Sequence, residues 1–246
     1  MDLWKGIINK RSLYTCTVRL SKAIPTNIKN KKPSSQRWIT RQIQDPYVEK
    51  AKQEQYRCRS AFKLLEFHER FNLLKPGMIV VDCGAAPGSW TQVATRLTNS
   101  NGKQENQPVG RVFALDKLPI YPIEGAITFS NIDFTTLHAQ NLLRDSLNGS
   151  LVDFVMSDMA PNATGVRDID HDQIINLAYS ALKFALQMSK KDANFIAKVW
   201  DGAKSSKFEK DVERFYEKIK IIRPAATRDE STEKFILARG FKGLQQ

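Results

Sequence analysis

The stretch Met78–Trp90, MIVVDCGAAPGSW, decides the fold of this chain. Its first four residues form a short continuous apolar run, which is typical of a strand buried on both faces of a parallel sheet. The run ends at Asp82, and a turn containing Gly84 and Gly88 then opens a helical segment. A strand, a glycine-containing turn and a helix in this order predict the ligand-binding edge of a doubly wound α/β sheet.

Strand and helix patterns alternate along the rest of the chain. One or two helices are predicted between Tyr47 and Phe71. The predicted strands are Met78–Val81, Arg111–Leu115, Ala126–Ile132, Leu151–Met156, Ala193–Val199, Lys218–Ile222 and Lys234–Arg239, and the later helices are Ser89–Leu97, Leu137–Leu147, His171–Lys190 and Lys204–Glu217. This alternation predicts an α/β, Rossmann-like, mostly parallel doubly wound sheet with an antiparallel edge strand.

The composition of the chain fits a single catalytic domain. Its 246 residues are 41% hydrophobic, which is enough to build one α/β core. The three cysteines, Cys16, Cys58 and Cys83, have neither metal-type nor disulfide-type spacing. No apolar run reaches the roughly 18 residues of a transmembrane helix, so we predict no membrane span.

Most of the net positive charge lies in the N-terminal segment. Residues 1–44 hold ten basic residues against Asp2 alone, which is nine of the twelve net charges of the chain. A basic, acid-poor N-terminus with scattered apolar residues resembles a mitochondrial transit peptide, and the alternative is a flexible arm that contacts RNA phosphates. We therefore expect residues 1–44 to be a targeting segment or flexible arm, and residues 45–243 to form the catalytic domain.

Four aspartates follow or end successive predicted strands: Asp82, Asp116, Asp133 and Asp158. Parallel strands end at one edge of a sheet, so these acids are expected to line one pocket, although any single one could simply cap a helix. The turn lacks the G-x-G-x-x-G spacing of a pyrophosphate site, and a carboxylate rim suits a cationic ligand such as S-adenosylmethionine. Asp116 would then bind the ribose hydroxyls and Asp133 the adenine amino group, while Trp90 would pack either on the cofactor or in the core.

A lysine is expected close to this pocket. Lys198 ends a predicted strand, and Asp158 lies in the segment SDMAPN, at the strand end nearest the switch point of the sheet. Methylation of a hydroxyl needs a positioned base, and a lysine can act as one once it is neutral. Lys63 is the candidate second cation that would favour the neutral form, and Asp158 and Glu233 would orient Lys198.

These residues together resemble the FtsJ/RrmJ family of ribose 2′-O-methyltransferases over residues 47–242. The resemblance rests on DCGAAPG, on SDMAPN and on the series Lys63, Asp158, Lys198, Glu233. Within the family, the blocks Ser60–Leu64, Pro119–Gly125, Asn162–Gly165 and Asp168–Asp172 are most similar to the mitochondrial large-subunit rRNA enzymes.

The resemblance implies a Rossmann-like methyltransferase fold, S-adenosyl-L-methionine as the cofactor and a catalytic tetrad in which Lys198 is the base. We call Lys63, Asp158, Lys198 and Glu233 the tetrad from here on. Cofactor contacts are implied for Pro87, Gly88, Ser89, Trp90, Asp116, Asp133 and Asp158. Two departures stand out: the bacterial pattern has a second glycine where Ser89 stands, and Glu230 lies close enough to Glu233 to compete for its role.

The implied substrate is a uridine in the A loop of mitochondrial large-subunit rRNA, with the rRNA or a large-subunit precursor as partner and the mitochondrial matrix as location. A tRNA, an mRNA cap or a role in ribosome assembly with secondary catalysis are the alternatives. The acid-rich segment Asp168–Asp172 could bind a metal, but we favour a polar loop that caps the long helix, and methyl transfer from a sulfonium needs no metal.

Overall fold

The structure is a computed structural model that describes residues 32–162 and 164–244. The described residues fall into two compact units, one ending at Asp45 and the other beginning at Pro46. In the first unit, helix α1 spans Pro33–Gln44, with the proline in the first turn, where a missing backbone N–H costs nothing. Most of the predicted targeting segment, residues 1–31, lies outside the described residues, so its role stays a prediction.

The second unit alternates helices and strands. Its helices are α2 (Pro46–Gln53), α3 (Ala61–Phe71), α4 (Ser89–Leu97), α5 (Leu137–Leu147), α6 (Arg167–Met188) and α7 (Ala203–Phe215), and its strands are β1 (Ile79–Cys83), β2 (Arg111–Asp116), β3 (Ala126–Ser130), β4 (Val152–Ser157), β5 (Ser189–Trp200), β6 (Tyr216–Ile222) and β7 (Glu233–Phe241). The predicted helical region 47–71 therefore contains two helices. No helix in residues 32–162 or 164–244 is both long and apolar enough to cross a membrane.

The seven strands form one sheet in the order β3-β2-β1-β4-β5-β7-β6. Strands β1 to β5 pair in parallel, whereas β7 runs antiparallel to both of its neighbours. Strands β6 and β7 are joined by a loop without a crossover helix, and such a connection favours antiparallel pairing. The predicted fold class is confirmed, and the antiparallel strand lies one place in from the edge strand β6.

Several boundaries differ from the sequence prediction, and those of α6 and β5 differ close to the site. Helix α6 begins at Arg167 rather than His171. Asp168 and Asp170 lie in its first turn, where their negative charges interact favourably with the positive end of the helix dipole. Strand β5 begins at Ser189 instead of Ala193, with a register irregularity where it joins β4. The strand ends at Trp200, so Lys198 lies within β5 and not at its end.

The core has one layer on each face of the sheet. Neighbouring residues of a strand point to opposite faces, so Val81 packs in the layer under α5, α6 and α7 while Val80 packs in the layer under α3 and α4. Phe67, Trp90 and Phe235 form ring contacts at the centre of the second layer. The carboxyl edge of the parallel strands lies between these layers, and residues from both layers can reach it.

Candidate active site

Lys198 and Asp158 meet where the carboxyl end of β4 lies beside β5. The Lys198 Nζ donates hydrogen bonds to the backbone carbonyl of Asp158 at 2.6 Å and to its Oδ1 at 2.9 Å. Asp158 directly follows β4, and Lys198 projects from the neighbouring strand, so the parallel pairing of β4 with β5 fixes their relative position. Only 8% of the lysine is exposed, and burial at this depth is uncommon for a lysine without a partner.

Lys63 and Glu233 complete the tetrad from the other side. The Lys63 Nζ lies 2.6 Å from the Glu233 Oε1 and 3.9 Å from the Asp158 Oδ1. Lys63 projects from α3 and Glu233 begins β7, where it pairs with Trp200 of β5. Glu230 is exposed in the preceding loop, so of the two glutamates it is Glu233 that contacts the buried lysine.

Two hydroxyl groups that sequence reasoning missed support the two carboxylates of the tetrad. The Ser60 hydroxyl donates a short hydrogen bond to the Asp158 Oδ2. The Thr227 hydroxyl donates to the Glu233 Oε1 at 2.9 Å, the same oxygen that Lys63 contacts. Both residues come from irregular segments whose position no periodic pattern encodes, and the only sequence signal was the position of Ser60 three residues before Lys63.

The charge state of Asp158 follows from these neighbours. Burial by itself raises the pKa of the Asp158 carboxyl, but the charges of Lys198 and Lys63 and the hydrogen bond from Ser60 together outweigh burial. The pKa of Asp158 therefore lies below its ordinary value. A carboxylate that stays ionised in a buried site can orient a lysine and balance a positive charge that forms there.

Beside the tetrad, an open cleft of about 900 Å³ runs along the edge of the sheet. We call it the cleft; Gly84, Asp116, Leu118, Asp133, Phe134 and Asp158 are among the residues that line it. Its volume lies within the range of about 300–1,000 Å³ that small ligands and cofactors occupy in proteins. Asp158 belongs to both the cleft and the tetrad, so a ligand in the cleft would touch the tetrad at this residue.

Asp116 and Asp133 are fixed inside the cleft by local hydrogen bonds. Asp116 accepts the backbone amides of Ala86 and Leu118, each at 2.8 Å. Asp133 lies three residues beyond the end of β3, pairs with the Lys117 Nζ at 2.9 Å and accepts two hydrogen bonds from Thr135. Burial raises the pKa of Asp133, and the bonds from Lys117 and Thr135 lower it further than burial raises it.

Asp82 behaves differently because it is fully buried beneath the turn. The Thr91 hydroxyl donates to its Oδ2 at 2.7 Å, while its Oδ1 finds no hydrogen-bond partner among the described residues. Burial, opposed by the bond from Thr91 and reinforced by the charges of Asp158 and Asp116, raises the pKa of Asp82 to about 7. Asp82 thus lies below the turn and is not one of the residues that line the cleft.

The turn of residues 84–90 borders the cleft. Of its residues, Gly84 and Ala86 line the cleft. Gly84 has φ +77°, and a Cβ there would lie 2.1 Å from the Met159 side chain; Gly88 has φ +110° and lies against Ile123 and Arg57. Ser89 is buried and accepts a hydrogen bond from the Cys58 thiol. None of the residues Pro87, Gly88, Ser89 and Trp90 is among those that line the cleft.

The Trp90 side chain belongs to the core. It is 2% exposed, its ring centroid lies 5.7 Å from that of Phe235, and its Nε1 donates to the Ser60 carbonyl at 2.9 Å. Of the two alternatives for this ring, packing in the core is the one observed. The ring supports Ser60 and thereby Asp158, so the tryptophan acts on the site indirectly.

The acid-rich start of α6 organises a loop at the rim of the cleft. The Asp170 Oδ1 accepts the backbone amide and the hydroxyl of Thr164, each at 2.7 Å, and its Oδ2 accepts the Gly165 amide. The His171 ring lies 3.2 Å from the Trp200 carbonyl, and Asp172 pairs with Lys204. The Asp170 bonds tie the loop after β4 to α6, and the His171 and Asp172 contacts tie the start of α6 to β5 and α7.

A buried pair of lysines held by carboxylates lies next to a cleft at the switch point of a doubly wound sheet, the place where such sheets bind ligands. The chain matches the FtsJ-like methyltransferase family over residues 56–241. It is 52% identical over 235 residues to the Drosophila melanogaster protein "rRNA methyltransferase 2, mitochondrial", covering 95% of this chain and 94% of that relative. It is also 41% identical over 215 residues to "Ribosomal RNA large subunit methyltransferase E" of Rhodopseudomonas palustris (strain HaA2), covering 87% and 88% of the two chains. The chain belongs to the FtsJ-like methyltransferase family.

A solved structure agrees with this fold. The crystal structure of a Plasmodium falciparum protein, described as a candidate ribosomal RNA methyltransferase, superposes with a TM-score of 0.67 at 22% identity. The match covers 77% of this chain and 100% of the other. At this level of identity the likeness bears on the fold alone, and it supports the mostly parallel seven-stranded sheet.

Proposed function

We propose that this protein transfers a methyl group from S-adenosylmethionine to a ribose 2′-hydroxyl of RNA, with Lys198 as the general base. The observation that carries the proposal is the convergence of the tetrad from four separate elements on the end of the cleft. A hydroxyl nucleophile needs a base within hydrogen-bond reach. In this cluster the amine of Lys198 is the group that we assign to accept its proton.

The hydrogen bonds of Lys198 support its role. A neutral amine has two N–H bonds and one lone pair, and Asp158 offers two acceptors to the Lys198 Nζ, its backbone carbonyl and its Oδ1. With both N–H bonds directed there, the lone pair is left for the proton of the substrate hydroxyl. The ionised Asp158 then balances the charge on the protonated lysine.

The cleft fits the cofactor. Asp116 gives the lining a carboxylate that accepts only backbone amides from the described residues, whereas Asp133 and Asp158 are already paired with Lys117 and with the tetrad lysines. When bound, S-adenosylmethionine would supply the methyl group on a positive sulfonium, which a carboxylate attracts. Asp116 would hold the ribose hydroxyls and Asp133 the adenine, while the turn at Pro87, Gly88, Ser89 and Trp90 would shape the edge of the site without lining the cleft.

We further propose that the substrate is a uridine in the A loop of mitochondrial large-subunit rRNA. The names of the Drosophila and Rhodopseudomonas relatives, at 52% and 41% identity, support an rRNA substrate, and the first also supports a mitochondrial location. The basic N-terminal residues 1–44 fit import into the matrix. In this view the methylation serves the biogenesis of the large ribosomal subunit.

A methylation assay with several RNAs tests the proposal. The purified protein is incubated with methyl-labelled S-adenosylmethionine and with mitochondrial large-subunit rRNA, a tRNA pool or capped mRNA, and 2′-O-methyl positions are then mapped. We expect a single mark in the A loop of the rRNA and none elsewhere. Preferential labelling of tRNA or of a cap would replace the substrate assignment, and an absence of labelling in every RNA, ribosomal particles included, would favour the assembly role.

The N-terminal segment has its own test. Residues 1–44 fused to a fluorescent protein should direct it to mitochondria, and a protein lacking them should retain methyl transfer in vitro, because the described site residues all lie beyond Asp45. A fusion in which the ten basic residues are replaced by glutamine is the matched control. A cytosolic wild-type fusion would favour the RNA-binding arm instead.

A further inference from the structure

We propose that Arg57 is a positioning residue that clamps the cofactor turn to the loop after β2, an inference that rests on the proposed use of the cleft by S-adenosylmethionine. Arg57 lies between α2 and α3, in the segment that also carries Ser60. An arginine near the active site of an RNA enzyme would ordinarily be assigned to phosphate binding. The contacts of this side chain point to a different role.

The guanidinium of Arg57 is bonded to three backbone carbonyls. Its Nη1 donates to the Pro87 carbonyl at 2.7 Å and to the Tyr121 carbonyl at 2.8 Å, and its Nη2 donates to the Pro122 carbonyl at 2.8 Å. Three of the five N–H donors of the guanidinium are therefore used within the protein. Two N–H donors remain, one on Nε and one on Nη2, so the capacity for a phosphate is reduced.

The backbone around Arg57 is held to the same turn. The backbone amide of Arg57 donates to the Gln92 Oε1 at 2.9 Å. The side-chain Nε2 of Gln92 donates in turn to the Gln55 carbonyl at 3.0 Å. Gln92 lies in α4, the helix that the turn opens. A Cβ at Gly88 would come within 2.8 Å of the Arg57 Nη1, so the glycine is required for the guanidinium to lie against the turn.

The two segments joined by Arg57 both border the cleft. Pro87 belongs to the turn after β1, and the loop that contains Tyr121 and Pro122 begins with Lys117 and Leu118, which line the cleft beside Asp116. Arg57 also fixes its own segment, which leads to Ser60 and so to Asp158. The clamp therefore sets the width of the cofactor site and ties that site to the tetrad.

A planar guanidinium can reach three carbonyls in two directions, whereas a lysine amine is a single point donor. Arg57→Lys keeps the positive charge and should still lose the clamp. We expect the KM for S-adenosylmethionine and the Kd for S-adenosylhomocysteine to rise about tenfold or more, with kcat at saturating cofactor within about threefold of wild type. The Kd for the RNA and its salt dependence should stay unchanged.

The experiment compares Arg57→Lys and Arg57→Gln with Arg144→Lys, a control on α5 whose guanidinium makes only exposed side-chain contacts among the described residues. Thermal unfolding verifies that each variant is folded, and hydrogen exchange of residues 84–90 and 117–124 in the wild type, with and without S-adenosylhomocysteine, gives a readout that needs no variant. The clamp predicts that both segments are protected together when the ligand binds.

Three outcomes would overturn the proposal. A weaker RNA affinity with unchanged cofactor affinity would make Arg57 a phosphate contact, a full rescue by lysine would make it a charge effect, and independent protection of the two segments would remove the coupling. If the wild-type protein binds no S-adenosylhomocysteine, the proposed function fails and not the role of Arg57 alone.

Discussion

The tetrad and the cleft share Asp158 but handle charge in opposite ways. In the tetrad, two lysines face two carboxylates, and Ser60 and Thr227 add hydrogen bonds, so every charge is matched inside the protein. In the cleft, Asp116 accepts only backbone amides from the described residues, and its negative charge is left for a ligand. Burial with internal matching suits proton transfer, and an open acidic lining suits the binding of a cation.

The largest expected effect separates the two regions at Lys198. Lys198→Ala should lower the rate of methyl transfer by about 10²–10⁴-fold while leaving the cofactor Kd nearly unchanged, because the amine belongs to the tetrad and not to the cleft. Lys198→Arg should fail as well, since a guanidinium stays protonated near pH 7. Single-turnover methylation of the rRNA measures the rate and calorimetry the affinity; near-normal turnover of the arginine variant would reduce Lys198 to electrostatic positioning.

The reverse pattern is expected at Asp116. Asp116→Ala should weaken binding of S-adenosylmethionine by about 10–100-fold, because hydrogen bonds to a charged group are lost, while the single-turnover rate at saturating cofactor changes little. Asp145→Ala, which removes an exposed acid of α5, is the control. Equal affinities of wild type and Asp116→Ala in a calorimeter would remove Asp116 from the cofactor site.

A smaller effect should reveal the support of Glu233. Thr227→Val keeps the shape of the side chain but removes the donor to the Glu233 Oε1, and we expect the single-turnover rate to fall about tenfold or less without a change in cofactor affinity. Thr227→Ser should restore most of the rate, because it returns the hydroxyl. If serine and valine behave alike, the packing of Thr227 matters and its hydrogen bond does not.

A prediction of another kind concerns stability and comes from Asp82. Because the pKa of Asp82 is raised to about 7 from an ordinary 3.8, the native state holds a proton between these pH values that the unfolded state has lost. The free energy of unfolding should therefore decrease as pH rises through this window, and Asp82→Asn should remove that part of the slope. Denaturant unfolding of both proteins from pH 4 to pH 8 measures the difference, and parallel pH profiles would contradict the raised pKa.

Much of the fold was predictable because its signals are local. Apolar runs of strand length and the turn at Gly84 and Gly88 appear in consecutive residues, and the alternation of strands with helices leaves few topologies open. The boundaries were less predictable: α6 begins earlier than its apolar pattern because Asp168 and Asp170 favour its first turn, and polar residues such as Lys190 and Lys191 concealed the start of β5.

The sequence by itself determined the family, the types of the tetrad residues and the row of acids, because each lies in a short local motif or beside a strand pattern. Only the tertiary structure decided which residues contact one another. It showed that Ser60 and Thr227 donate hydrogen bonds to the tetrad carboxylates, that Trp90 lies in the core and that Arg57 bonds to three backbone carbonyls. Each of these contacts joins residues from segments that only folding brings together or from an irregular loop, and loops carry no periodicity from which a contact could be read.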